Sequence, residues 1–183
     1  MIVLDASAAI DWLLQTAAGQ RIEQRIYSHN ESLHAPYLLD LEVGQVLRRL
    51  VREGSLSTDR ADQAIEDLLD LRITRYPHFL LLPRIWRLRH NLSAYDAAYV
   101  VLAEKLGARL VTRDGRLASA SGHAAAIELF CFDSRDFMSL SPWIWPQLIP
   151  LARRRRLPIG GRTHRRSICI FGKTHPSPLP ALR

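Results

Sequence analysis

Four acidic residues lie where a carboxylate can take part in chemistry. Asp5 follows the short apolar run Ile2-Val3-Leu4, and Asp114 follows a second apolar run. In parallel α/β sheets, ligands bind beyond the carboxyl ends of the strands, so these two side chains can point into one crevice. Asp96 lies in the first turn of a predicted helix. Glu42 interrupts an apolar helical stripe, where an acid is costly unless something pairs with it.

A group of carboxylates at one rim of a sheet needs a cation or must be partly protonated. Two carboxylates about 5 Å apart repel each other by roughly 3 kcal/mol at an effective dielectric constant near 20. Lys105 is the only lysine before residue 134, and no histidine lies at zinc-ligand spacing from a second histidine or a cysteine. Hard oxygen ligands favour Mg²⁺ or Mn²⁺ over zinc. A pair of such ions suits phosphodiester hydrolysis, because one ion activates water and the other stabilises the leaving oxygen.

Each acid, taken singly, also has an ordinary structural interpretation. Ser93 and Asp96 form a Ser-x-x-Asp pattern, which is close to a helix capping box. Asp5 or Asp114 could be a turn residue bonded to nearby backbone, and Glu42 could reach solvent at the edge of its stripe. The metal interpretation therefore depends on the four acids acting together.

The elements that would position these acids alternate between strand and helix. Apolar runs followed by breakers predict strands at 2–4, 72–76, 109–112 and 126–132. Helical spacing and cap residues such as Ser7, Ser93 and Gly107 predict helices over 7–14, from Pro36 to about 52, and over 58–71, 83–90, 94–106 and 115–118. This alternation predicts an α/β fold with a central, mainly parallel sheet flanked by helices.

Four blocks of the sequence resemble the sequence blocks of PIN-domain proteins. They are MIVLDASA at 1–8, LDLEVGQVLRR at 39–49, LSAYDAAYV at 92–100 and LVTRDGRL at 110–117. One block alone is a weak signal, but the four occur in order over residues 1–132. In size and sequence the chain is most similar to VapC, the toxin of bacterial VapBC toxin–antitoxin pairs.

The resemblance implies a PIN-like fold and a Mg²⁺- or Mn²⁺-dependent endoribonuclease that cuts structured RNA. A metal-activated water would attack the phosphodiester and leave a 5′-phosphate and a 3′-hydroxyl. The resemblance also implies a homodimer that is restrained by a VapB antitoxin. Ser7 and Thr112 match family hydroxyls near the metal. The family's catalytic and metal-binding acids fall on Asp5, Glu42, Asp96 and Asp114.

Two arginines beside Asp114 are candidate phosphate contacts. Arg113 precedes the acid and Arg116 follows it, and a plain surface arginine cluster is the alternative that stays open. Arg116 and Leu117 also occupy the stretch where some PIN proteins carry a further acid. We therefore expect no fifth carboxylate ligand.

Charge divides the 183-residue chain near residue 133. Residues 1–133 contain 15 Lys+Arg and 17 Asp+Glu, which gives a net charge of −2. Residues 134–183 contain 10 Lys+Arg and 1 Asp+Glu, which gives +9, so the whole chain has a net charge of +7. Seven of the ten prolines also follow residue 133. We predict a nuclease domain at 1–133 and a poorly structured, basic Pro/Arg-rich tail at 134–183, either functional or the product of a changed reading frame.

The tail supplies the main alternative function. A run of four arginines, Arg153–Arg156, would attract RNA without sequence preference. The alternative is a noncatalytic RNA-binding module that acts through this tail and keeps its carboxylates for folding. A phosphotransfer domain with Asp5 as phosphoryl acceptor is disfavoured, because Ser7 stands where haloacid-dehalogenase-type enzymes need a second aspartate.

The sequence predicts a cytoplasmic protein with no membrane association. Asp5 and Asp11 interrupt the apolar run that a signal peptide needs. No stretch approaches the roughly 20 apolar residues of a transmembrane helix. The two cysteines are too few for a disulfide framework, which fits a reducing compartment.

Overall fold

A computed structural model describes residues 1–131 of the protein. Its centre is a five-stranded sheet in which every neighbouring pair is parallel, with the strand order β3-β2-β1-β4-β5. The strands are β1 (Ile2–Leu4), β2 (Leu33–Pro36), β3 (Ile73–Tyr76), β4 (Arg109–Thr112) and β5 (Ala126–Leu129). The predicted α/β fold with a central parallel sheet flanked by helices is confirmed for this part of the chain.

Seven α-helices and one 3-10 turn accompany the sheet in residues 1–131. The helices are α1 (Ala6–Leu13), α2 (Ala17–Ser28), α3 (Leu38–Arg52), α4 (Thr58–Asp70), α5 (Leu82–Arg87), α6 (Ala94–Leu106) and α7 (Gly115–Ala118). The 3-10 turn spans His78–Leu80. Within the described residues, no helix has the length and apolar content needed to cross a membrane.

The core lies around β1 and α6. All three residues of β1 are fully buried, as its central place in the sheet requires. In α6, the seven consecutive residues Ala97–Ala103 are buried, so this helix is enclosed on most of its circumference. Gly107 ends α6 in the left-handed conformation with φ of +59°, which glycine adopts without a steric penalty.

The elements that carry Asp96 and Asp114 have the predicted bounds. Helix α6 spans 94–106, β4 spans 109–112 and α7 spans 115–118, as apolar spacing and cap residues indicate. Ser93 caps α6 with its side chain, which accepts a hydrogen bond from the backbone N–H of Asp96. Local sequence rules are sufficient here because each element has its own start and stop signals.

Two elements were not predicted, and two cap assignments were wrong. Helix α2 and strand β2 have no counterpart in the sequence prediction; the four residues Leu33–Pro36 contain a histidine and a proline and show no alternating pattern. Pro36 ends β2 and does not open α3. Ser7 lies inside α1, whose N-cap position belongs to Asp5.

The predicted tail at 134–183 lies outside the described residues. The same holds for the predicted domain boundary at residue 133. The last predicted strand, 126–132, is too long, because β5 ends at Leu129 and residues 130 and 131 are not strand. The candidate site lies entirely within residues 1–131.

Candidate active site

The candidate site lies at the point where the strand order reverses. Starting from β1, the chain builds β2 and β3 on one side and then crosses to β4 and β5 on the other. The carboxyl ends of β1 and β4 therefore border a crevice of the kind that binds ligands in open α/β sheets. Asp5 follows β1 directly, and its backbone N–H donates to the carbonyl of Val111 in β4 at 3.0 Å. Asp114 follows β4 at the same edge.

Asp5 is held by two hydroxyl groups. Its Oδ2 accepts hydrogen bonds from Ser7 Oγ at 2.5 Å and from Thr112 Oγ1 at 2.7 Å. The two hydroxyl oxygens are 3.3 Å apart. Asp5 is only 8% exposed, and this burial raises its pKa, an effect that the two hydroxyl donors oppose. The structure thus brings together the predicted acid and both predicted supporting hydroxyls.

The same hydroxyls hold the loop that carries Asp114. Ser7 Oγ accepts from the backbone N–H of Arg113 at 2.9 Å, and Thr112 Oγ1 accepts from the backbone N–H of Asp114 at 3.0 Å. Each hydroxyl therefore donates to Asp5 and accepts from the loop after β4. This double use fixes Asp114 relative to Asp5.

Glu42 reaches the site from the second turn of α3. Tyr99, buried in α6, donates from its phenolic oxygen to Glu42 Oε2 at 2.5 Å. Burial raises the pKa of Glu42, and the negative charges of Asp5 and Asp96 raise it further. Glu42 is therefore within electrostatic reach of Asp5 and of Asp96, although the three carboxylates come from three different elements.

Asp96 serves as a cap partner and as a member of the acidic group. Its backbone N–H donates to Ser93 Oγ at 3.1 Å, and the same hydroxyl donates to Asp96 Oδ2 at 2.8 Å. The capping interpretation is therefore correct, but it occupies only one oxygen of a half-buried carboxylate. The structural and the metal-binding interpretations of Asp96 are compatible.

Asp114 caps α7 and pairs with Arg116. Its Oδ1 accepts from the backbone N–H of Arg116 at 2.7 Å, and its Oδ2 lies 3.3 Å from a guanidinium nitrogen of Arg116. The Arg116 side chain is 85% exposed. Its pKa is raised by the hydrogen bond and charge of Asp114 and, more weakly, by the charge of Asp96.

The sequence prediction gives no role at the site to two residues, Asp11 and Tyr99. Arg113, a predicted phosphate contact, lies with its Nε 2.7 Å from Oδ2 of Asp11 in α1. The sequence prediction gives Asp11 only as an interruption of an apolar run, and it includes Tyr99 only as part of the block at 92–100. The spacing of Tyr99, three residues after Asp96 on the same helix, was the one signal that could have identified it.

The donor set fits a hard divalent cation. All four acids offer carboxylate oxygens, which Mg²⁺ and Mn²⁺ prefer. Glu42 and Asp96 each have one oxygen engaged by a hydroxyl donor, which leaves the second oxygen of each of these two carboxylates for a ligand. In the described part of the chain, however, no three Asp, Glu, His or Cys side chains already converge as a closed metal site.

A parallel sheet with Asp5 and Asp114 directly after β1 and β4 defines an α/β protein with a candidate acidic site, and comparisons with known proteins give the family. The family model described as PIN domain matches residues 2–122. VapC9 of Mycobacterium tuberculosis, named a ribonuclease, is 44% identical over 124 residues, which are 68% of this chain and 93% of that protein. VapC12 of the same species, also named a ribonuclease, is 41% identical over 129 residues, which are 70% of this chain and 98% of that protein.

Solved structures show the same fold. A structure of PAE2754 from Pyrobaculum aerophilum matches with a TM-score of 0.52 and 25% identity, covering 83% of this chain and 89% of that one. The M. tuberculosis toxin VapC20, described as cleaving the sarcin–ricin loop, matches with a TM-score of 0.50 and 18% identity. The match covers 68% of this chain and 97% of that one. The chain belongs to the PIN-domain family, among its VapC members.

Proposed function

We propose that this protein is a toxin endoribonuclease that uses Mg²⁺ or Mn²⁺ to hydrolyse RNA phosphodiesters. The observation that carries the proposal is the position of the buried Asp5, which two hydroxyls hold directly after β1, where the strand order reverses. Glu42 lies within electrostatic reach of Asp5 and of Asp96. The names of the VapC relatives, which match over nearly their whole length, support an RNA substrate.

The side chains of the site have different roles in the proposed reaction. Asp5, Glu42, Asp96 and Asp114 would hold the cation. When bound, the ion would supply the charge that activates a water molecule and stabilises the leaving oxygen. Ser7 and Thr112 orient Asp5 by donating to its Oδ2. The exposed guanidinium of Arg116 can contact a phosphate of the RNA while it remains beside Asp114.

An RNA cleavage assay with the full chain tests this proposal. Wild-type protein should cut total RNA into discrete fragments with Mg²⁺ or Mn²⁺ and should stop cutting in EDTA. Asp96→Asn keeps the shape of the side chain and an acceptor for Ser93 but removes the charge, so cleavage should fall by at least about 100-fold. Asp62→Asn, which removes an exposed acid from α4, should cut like wild type.

The same assay separates the nuclease from the noncatalytic alternative. That alternative depends on residues 134–183, which lie outside the described part of the chain. It predicts intact RNA in every lane, with binding that EDTA leaves unchanged and that weakens steeply with salt. Cleavage by Asp96→Asn at the wild-type rate would contradict the assignment of the site.

We also propose that the protein forms a homodimer and is restrained by a VapB-type antitoxin. Four large apolar side chains lie exposed within ten residues of one another, on the 3-10 turn and α5: Phe79, Leu80, Leu82 and Trp86. A cluster of this kind is typical of a protein interface. Light scattering of the full chain should give twice the monomer mass, and a double Phe79→Ser, Leu82→Ser variant should give the monomer mass. A monomeric wild type at micromolar concentration would contradict the dimer.

The antitoxin is tested by co-expression. A VapB-like protein encoded next to this gene should co-purify with the chain and should suppress the cleavage of RNA. Co-purification without suppression would contradict a restraining role.

A further inference from the structure

Acids at the candidate site and acids elsewhere are held by different kinds of partner. Away from the site, arginines pair with carboxylates: Arg75 with Asp40, and Arg84 with Glu104. At the site, three carboxylates are held by neutral hydroxyl donors, which hold a carboxylate in place without cancelling its charge. These pairs are Asp5 with Ser7 and Thr112, Asp96 with Ser93, and Glu42 with Tyr99. Asp114, which lies beside Arg116, is the exception.

The Tyr99–Glu42 contact is the member of this group whose donor is neither a predicted supporting hydroxyl nor a helix cap. Tyr99 is 1% exposed, and its hydroxyl donates to Oε2 of Glu42 over 2.5 Å, joining α6 to α3 across 57 residues of sequence. Tyr99 also lies one helical turn after Asp96. One buried helix therefore carries both an acid of the site and the donor that holds a second acid.

The contact leaves one oxygen of Glu42 for a ligand. Oε2 is occupied by the phenol, and Oε1 accepts no hydrogen bond from any residue in the stretch 1–131. A carboxylate that is anchored at one oxygen loses most of its rotational freedom. In metal sites of proteins generally, hydrogen-bond donors behind the ligands orient them toward the metal.

We propose that Tyr99 is a positioning residue for divalent cations, which holds Oε2 of Glu42 so that Oε1 is preset as a metal ligand. The inference rests on the proposed function, because it takes Glu42 to be a ligand. A purely structural role, in which the hydroxyl only satisfies a buried polar group, predicts lower stability on its removal with no change in cation affinity.

Mn²⁺ binding to the full chain without RNA separates these roles. Electron paramagnetic resonance measures free Mn²⁺ directly and needs no catalytic activity. Tyr99→Phe keeps the ring and removes the hydroxyl, and it should weaken Mn²⁺ binding by about tenfold. Tyr76→Phe is the matched control, because it removes a hydroxyl that bonds to His34 at 3.0 Å and contacts none of the four acids. It should bind Mn²⁺ like wild type.

A double-mutant cycle tests whether Tyr99 acts through Glu42. Glu42→Asp retains the charge but shortens the side chain, so the hydroxyl can no longer hold it. Adding Tyr99→Phe to Glu42→Asp should then change Mn²⁺ affinity by less than about twofold. A tenfold loss in that background would overturn the inference, because Tyr99 would then act by another route.

Two further outcomes separate the role of Tyr99 from the proposed metal-dependent function. If Tyr99→Phe binds Mn²⁺ like wild type while Asp96→Asn does not bind, the inference is wrong and the metal site stands. If wild-type protein binds no Mn²⁺, both the inference and the proposed metal dependence are wrong. Thermal melts of every variant in EDTA establish that it is folded, so that lost binding reflects the site.

Discussion

The hydroxyl of Thr112 donates to Oδ2 of Asp5 over 2.7 Å, although 107 residues separate them in the sequence. Both side chains are buried. The same hydroxyl accepts from the backbone N–H of Asp114 at 3.0 Å. One side chain therefore joins the ends of β1 and β4 and holds the loop that carries Asp114.

Replacing Thr112 by Val keeps the shape of this side chain and removes the hydroxyl. The buried carboxylate loses a donor and the Asp114 N–H loses its acceptor, so the free energy of unfolding should fall by about 1–3 kcal/mol. Urea denaturation of the full chain in EDTA measures this change. Thr74→Val, an exposed position in β3, should stay within about 0.5 kcal/mol of wild type. Equal stability of Thr112→Val and wild type would show that the buried hydroxyl contributes nothing.

The two arginines beside Asp114 should differ in what they do. Arg113 is 9% exposed at its side chain and paired with Asp11, so Arg113→Gln should lower the free energy of unfolding by about 1–3 kcal/mol. Arg116 is largely exposed, so Arg116→Ala should leave stability within about 0.5 kcal/mol of wild type. Arg116→Ala should instead weaken RNA binding. The slope of the logarithm of the binding constant against the logarithm of the salt concentration should become smaller by about one.

Filter binding of RNA in EDTA, where no cleavage occurs, tests the Arg116 prediction at several salt concentrations. The control is Arg87→Ala, an exposed arginine of α5. If Arg87→Ala and Arg116→Ala weaken binding equally, the effect is one of general charge and Arg116 is no specific phosphate contact.

His34 should make stability depend on pH. It is buried in β2, where Nε2 contacts Ser32 Oγ at 2.8 Å and Nδ1 contacts Tyr76 OH at 3.0 Å. Burial lowers its pKa below the usual 6.5, and the positive charge of the N-terminal amine lowers it further. The folded protein therefore binds this proton more weakly than the unfolded chain does. Its stabilising contribution is present above pH 6.5 and is lost as the pH falls through 6.5 toward the lowered value.

Urea denaturation at pH 8 and pH 5 measures this contribution. Wild-type protein should lose more stability between the two values than His34→Gln loses, because the variant has no group to protonate at this position. His90→Gln, which changes an exposed histidine, should behave like wild type. An identical loss in wild type and His34→Gln would assign the pH dependence to other groups.

Two glycines in helices should respond in opposite ways to alanine. A Cβ at Gly19 in α2 would overlap the backbone carbonyl of Asp11, so the two helices would have to separate. Gly19→Ala should therefore cost about 3 kcal/mol or more, in the range of severe overpacking. Gly44 in α3 has open space at that position, and Gly44→Ala should stabilise the protein by about 0.5–1 kcal/mol. Thermal melts of both variants test the pair, and a stable Gly19→Ala protein would contradict the close contact of α1 and α2.

The elements with strong local signals could be predicted from the sequence. Helix α6 has Ser93 at its start, a long apolar stretch and Gly107 at its end, and the sequence prediction of its bounds is confirmed. Strand β2 was missed because its burial arises from pairing with β1 on one side and β3 on the other. Its His34 is accommodated by Ser32 and Tyr76, and the Tyr76 contact depends on a strand that lies 42 residues away.

The sequence by itself determined the class of this protein and predicted its four candidate acids, because acids placed after apolar runs and within ordered blocks are local signals. Only the tertiary structure decided what holds each acid. The strand order places Thr112 beside Asp5, and the fold of the chain brings Tyr99 of α6 beside Glu42 of α3. These donors come from residues 107 and 57 positions away, and no local pattern specifies a contact that exists only after the chain has folded.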